Sequence, residues 1–117
     1  MVQKHFICTH TFTSENSRRK FLTPPEYRNP PTSRLDEKGW AKASMGAYAT
    51  CLQTWVGNDD FFFCHWLSEN EEQIYKQLEA WDLDNIVNTL IHPINRFMSA
   101  YRNSVEIEQY PESGDKW

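Results

Sequence analysis

Apolar and polar positions alternate along the first stretch of the chain. From Lys4 to Phe12 (KHFICTHTF), Phe6, Cys8, His10 and Phe12 fall on one side and His5, Ile7, Thr9 and Thr11 on the other. A period of two in a run rich in β-branched and aromatic residues predicts a strand. Thr13 and Ser14 then offer N-cap oxygens to a short helix over Glu15–Leu22, which stops before Pro24-Pro25. Thr23–Pro31 holds four prolines and reads as a stiff loop. A second cap at Thr32 or Ser33 opens a helix that sends Leu35, Trp40 and Ala43 toward the core, with Gly39 weakening its middle.

Two more strands follow, over Ala49–Val56 and Asp60–Leu67, joined by the hairpin residues Gly57-Asn58-Asp59. A turn about Asn58-Asp59 sets Cys51 opposite Trp66, Gln53 opposite Cys64 and Trp55 opposite Phe62 on one face. Leu52, Thr54, Val56, Phe61, Phe63, His65 and Leu67 then share the other. Ser68-x-x-Glu71 has the form of a capping box, and Ile74, Leu78 and Trp81 give the helix behind it a core-facing stripe. Ile86–His92 predicts a fourth strand closed by Pro93. Ile94, Phe97, Met98 and Tyr101 fit a helical stripe, and Val105 and Ile107 alternate with glutamates as a short edge strand. No repeat or linker divides the chain. It reads as a single domain over 1–117, with its core over about 4–103 and a tail over 104–117.

Composition narrows the class. The length of 117 residues suits one domain, and 39% hydrophobic with 15% aromatic residues argues for a packed core. A net charge of −4, with Arg18-Arg19-Lys20 as the only basic cluster, argues against a nucleic-acid partner. Phe61–Trp66 is the longest apolar run and falls far short of a bilayer-spanning helix, so no membrane association is expected. The amino terminus lacks the apolar stretch of a secretory signal. The three cysteines form no Cys-x-x-Cys pair and no even framework, so the expected compartment is the cytoplasm. There is no glycine-rich phosphate loop, nucleophile elbow or His-Glu-x-x-His motif, which disfavours nucleotide-dependent and serine-hydrolase chemistry.

The element order is β, α, an inserted loop and helix, then β, β, α, β. That is the split β-α-β arrangement. In this order, and in the hairpin with its following helix from Cys51 to Trp81, the chain resembles the ferredoxin-like dimeric α+β barrel superfamily over residues 4–92. The resemblance implies an α+β, ferredoxin-like βαββαβ fold, with an antiparallel sheet, helices on one face and a homodimer. Members of that superfamily include cofactor-free monooxygenases, haem-handling enzymes, stress-response barrels and small proteins of unassigned role, some of which bind nickel. The insertion over residues 23–46 departs from the single helix usual there.

These residues are compatible with three functions. The leading expectation is a dimer that binds an apolar or aromatic small molecule between sheet and helices. In that reading His65 or His10 serves as a base, as in the cofactor-free monooxygenases, and no cofactor is required. Trp40, Tyr48 and Trp66 form the pocket walls and the 23–46 insertion a lid. The alternative is a nickel-type transition-metal site. Cys8 and His10, two apart on one strand face, would be completed by His65, or by His5, Cys64 or His92. A buried thiol and a hydrogen-bonded imidazole in the core account for the same pair without a metal. The third reading is a structural or regulatory dimer without a ligand. The homodimer itself is argued from area, because both faces of the hairpin are apolar and helices cover only one. Trp55, Phe62 and Trp66 on one face, or Phe61, Phe63 and Leu67 on the other, form the expected interface together with strands one and four, and Val105–Ile107 crosses to cap the partner's sheet edge.

Overall fold

The computed structural model describes residues 2–114. Strand β1 (Lys4–Phe12) leads into helix α1 (Glu15–Leu22), a single tight turn at Pro25–Tyr27 and helix α2 (Glu37–Ala43). The hairpin β2 (Thr50–Trp55) and β3 (Phe61–Ser68) follows, then α3 (Glu71–Ala80) and β4 (Val87–Pro93). A small pair, β5 (Arg96–Phe97) and β6 (Glu108–Gln109), comes last. The main sheet has four strands in the order β2-β3-β1-β4. Every pairing in it is antiparallel. The fold is therefore α+β, with three helices packed on a four-stranded antiparallel sheet.

The period of two in β1 decides which face is buried. Phe6, Cys8, His10 and Phe12 are buried, and so are Phe62, Cys64 and Trp66 beside them on β3. Phe21 and Leu22 of α1, Trp40 of α2, and Ile74, Leu78 and Trp81 along α3 pack against this face. All three helices thus lie on one side. Ser14 caps α1 by accepting from Ser17 N, as its position predicts. Arg18, rather than lying on a free helix surface, turns toward the β2–β3 connection and bonds the carbonyls of Asn58 and Asp59.

Several expectations are corrected. Helix α2 begins after Asp36, whose carboxylate accepts from Gly39 N at 2.7 Å, and not at Thr32 or Ser33. Leu35 is consequently outside the helix and exposed. The cap of α3 is Asn70, which accepts from Gln73 N at 3.0 Å. Ser68 is not available for that role, because it still pairs with Lys4 in the ladder and its hydroxyl donates to Asn70 O. Gln77, on the buried face of α3, accepts from Tyr48 N at 2.7 Å and Ala49 N at 3.2 Å. A Cβ at Gly46 would overlap this carboxamide and the Ala49 carbonyl, so that turn needs glycine.

The hairpin register is the most consequential correction. Cys51 pairs with Trp66 as expected, but Leu52 is an extra residue. Beyond it Gln53 pairs with His65, Thr54 with Cys64 and Trp55 with Phe63. The bulge reverses the distal half of β2. Thr54 and Val56 turn to the helix side, and Trp55 joins Phe61 and Phe63 on the open side. Phe62 and Trp66 lie in the core, so the patch of Trp55, Phe62 and Trp66 does not exist as one surface.

The stretch after Pro93 is not helical either. Met98 and Tyr101 are exposed, and β5 pairs with β6. Val105 is fully exposed and Ile107 precedes the strand rather than forming it. The tail folds on its own domain: Ser113 Oγ accepts from His5 N at 2.6 Å, and Tyr110 N donates to Asn95 O.

Candidate functional site

Between the helix layer and the sheet lies a cavity of about 570 Å³. Its walls come from every major element: Phe21 of α1, Trp40 of α2, Cys51 and Thr54 of β2, Phe62, Cys64 and Trp66 of β3, and Leu78 of α3 with Trp81 at its end. His10 reaches it from β1 and Val87 from β4. The bulge at Leu52 is what puts Thr54 and Val56 in this wall.

Polar groups are few. His10 is 1% exposed, and its Nδ1 lies 2.8 Å from Thr89 Oγ1, so a neighbouring strand fixes the imidazole plane. The ring stands against Phe62, with centroids 4.9 Å apart, and meets Trp66 edge-on at 6.4 Å. Cys64 sits opposite Cys8 in the ladder, with its sulfur 3.3 Å from Thr54 Oγ1. The Cys51 thiol hydrogen-bonds that sulfur and pulls the Cys64 thiol well below the ordinary range. This outweighs the opposing effect of burial, and His10 and Thr54 act in the same direction. Cys51 is correspondingly pushed up, first by that hydrogen bond and then by burial. Burial also pushes the Cys8 thiol up, helped by the nearby Cys64. The indole N–H of Trp66, in a residue only 2% exposed, finds no acceptor among the described residues. A buried donor without a partner costs about 1–3 kcal/mol, so such groups are rare in folded proteins.

The sequence-predicted residues divide between two places. His10, Trp40 and Trp66 come together at the cavity, with Cys64. Tyr48 does not join them: it is exposed on the other side of α3, under the ammonium of Lys76 at 6.0 Å. His65 faces the open side of the sheet. There its Nε2 lies 3.0 Å from His5 Nδ1, and His5 stacks on Tyr110 with centroids 3.5 Å apart. Burial lowers the pKa of both histidines; Glu112 and Glu108 oppose this at His5, while the charge of His5 adds to it at His65. His92 is exposed and pairs with Ile7 on that open face. Cys8 and His10 therefore cannot share one site with His65. Among the described residues no three of His, Cys, Asp and Glu are placed to hold a metal ion.

Sequence reasoning put Cys51, Cys64 and Trp66 on one face, but missed Thr54, Phe21 and Trp81 as wall residues. Cys64, which stands beside His10, was among the candidates to complete a site with it. The available signal was the shared parity of Cys8 and His10 on β1; the partner strand was legible only as a candidate. No known protein family, curated protein or solved structure matches the chain.

Proposed function

We propose that the protein binds a flat, largely apolar small molecule in the cavity between sheet and helices. The observation that carries this reading is the cavity itself: about 570 Å³, walled mostly by aromatic and aliphatic side chains, with His10, Ser44, Cys51, Thr54 and Cys64 as its few polar residues. That combination is the usual make-up of a small-molecule site, in which apolar walls supply affinity and a few polar groups set orientation. Trp40 and α2, from the inserted segment, close one side, which suits the role of a lid. His10 is the histidine in reach of such a ligand, and it takes over the base role that His65 was also a candidate for.

The strand order β2-β3-β1-β4 with helices on one face supports the ferredoxin-like arrangement for the domain. The homodimer belongs to the same reading, with a revised interface. Trp55, Phe61, Phe63 and Leu90 are each at least 40% exposed on the face opposite the helices. A second copy related by a two-fold axis presents the same patch and covers it. Three buried, unbridged thiols suit a reducing compartment, which keeps the cytoplasm as the proposed location. No helix among the described residues is long and apolar enough to cross a membrane.

Tryptophan fluorescence tests the cavity. Titration with 2-naphthol is expected to change the emission saturably, and Ala43→Trp, which fills the wall beside Trp40, is expected to abolish the change. A linear, unsaturable response in the unmodified protein overturns the reading. Light scattering tests the interface. Phe63→Glu is expected to halve the mass of a two-chain particle, and a single-chain mass for the unmodified protein excludes it.

A further inference from the structure

We propose that Cys64, paired with His10, is a nucleophilic centre of the cavity that adds to a flat α,β-unsaturated ketone. The inference rests on the reading of the cavity as a small-molecule site and specifies its chemistry. Cys64 and His10 project from adjacent strands into one cavity, and Thr89 holds the imidazole from behind. Of the three thiols, Cys8 is not part of the cavity wall, Cys51 donates to the Gln53 carbonyl at 3.6 Å, and Cys64, on the strand next to that of His10, donates to Thr54 Oγ1 at 3.3 Å. Cys64 is the cavity thiol on which His10 acts as a neighbour. Nucleophilic cysteines need that arrangement, because the thiolate is the reactive form.

The ligand class follows from the rest of the wall. Aromatic side chains on both sides favour a flat body. The indole N–H of Trp66, a wall residue, has no acceptor among the described residues, and a ketone oxygen supplies one. A thiolate is a soft nucleophile and prefers the β-carbon of a conjugated ketone to its carbonyl carbon. In the step, His10 takes the Cys64 proton and the sulfur forms a bond to the β-carbon. The π pair moves through the α-carbon onto the ketone oxygen as an enolate, and His10 returns the proton to the α-carbon. One C–S and one C–H bond form, one S–H bond and one C=C π bond break, and nothing is oxidised or reduced. The reverse step releases the ligand unchanged.

The test uses trans-chalcone and its saturated analogue dihydrochalcone with the whole protein. Dihydrochalcone lacks the alkene, so its binding, read by tryptophan fluorescence, reports on the cavity alone. Intact mass spectrometry is expected to show one chalcone added per chain, and peptide mapping is expected to place it on Cys64. Cys64→Ser and, should that variant misfold, Cys64→Ala are expected to lose the adduct. Excess dihydrochalcone is expected to protect Cys64 in the unmodified protein, a control that needs no variant. His10→Gln is expected to slow labelling of Cys64 by about a hundredfold, the scale of a positioned proton-transfer group. Binding of dihydrochalcone without any chalcone adduct overturns the nucleophile and leaves the cavity reading standing. Labelling of Cys8 or Cys51 in place of Cys64, or at the rate of free glutathione, overturns it as well. Failure of dihydrochalcone to bind overturns the cavity reading beneath it.

Discussion

His5 and His65 share a hydrogen bond across neighbouring strands, with His5 Nδ1 3.0 Å from His65 Nε2 on the face of the sheet that no helix covers. One imidazole must donate and the other accept, so the contact requires at least one neutral ring. The stacked Tyr110 and the Ser113 hydroxyl bind the C-terminal tail to the same spot.

This pair makes stability sensitive to mild acid. Burial lowers the pKa of both histidines from the ordinary value of 6.5. The folded state therefore binds fewer protons than the unfolded chain below that pH. The contribution is fully present above about 6.5 and is lost as pH falls through the folded values. Thermal midpoints are expected to drop between pH 7 and 5, and His65→Gln is expected to flatten that profile. A profile of unchanged slope in the variant would remove the pair from this role.

Gln77 ties α3 to the turn before β2. Gln77→Ala leaves the amides of Tyr48 and Ala49 without their acceptor. The expected loss is about 2–3 kcal/mol in urea unfolding, because an orphaned buried donor costs about 1–3 kcal/mol. Gly46→Ala is expected to do comparable harm by displacing the same carboxamide. A loss under half a kcal/mol in both variants would contradict this account of the turn.

Adjacent phenylalanines should behave oppositely. Phe62 is 7% exposed among Phe12, Phe21 and His10, whereas Phe63 is 40% exposed on the open face. Phe62→Ala is expected to cost about 3–5 kcal/mol at any protein concentration. Phe63→Ala is expected to cost little in dilute solution and more as concentration rises, because a dimer stabilises its folded chains by mass action. Denaturation at two protein concentrations separates the cases.

Trp66→Phe removes the unpartnered indole N–H while keeping an aromatic ring in the wall. Its stability is expected to stay within about 1 kcal/mol of the unmodified protein, since the lost packing is offset by removal of an unsatisfied buried donor. Binding of a ketone ligand is expected to weaken by about tenfold, the value of one neutral hydrogen bond at the upper end of its range. Binding of 2-naphthol, which can take other orientations, is the comparison. Equal weakening of both ligands would assign the effect to shape and not to the donor.

Much of this architecture is local and was legible. The alternation of Phe6, Cys8, His10 and Phe12 marks the buried face of β1 because a strand sends successive side chains to opposite sides. The stripe of Ile74, Leu78 and Trp81 marks the inward side of α3 by the period of a helix. Pro24-Pro25 ends α1 and Pro93 ends β4, where a missing amide and a fixed φ leave little choice. The four-stranded antiparallel sheet with helices on one side follows from these elements in their order.

What the sequence could not determine is what depends on pairing. Leu52 looks like any other strand residue, and only the ladder against β3 makes it the extra one that turns Thr54 inward and Trp55 outward. Ser68 has the chemistry of a cap, but its pairing with Lys4 keeps its backbone extended and passes the role to Asn70. The stripe over Ile94–Tyr101 has helical spacing, but Arg96 and Phe97 pair with β6 and Met98 and Tyr101 stay exposed. The site obeys the same division. Sequence alone put Cys8 and His10 on one face of one strand, because a period of two is a property of the backbone. Tertiary structure placed Cys64 beside His10, sent His65 to the opposite side with His5 and left Tyr48 outside. Cross-strand register and helix docking set those distances, and both are decided by which apolar surfaces bury each other, a non-local sum that no short stretch of sequence contains.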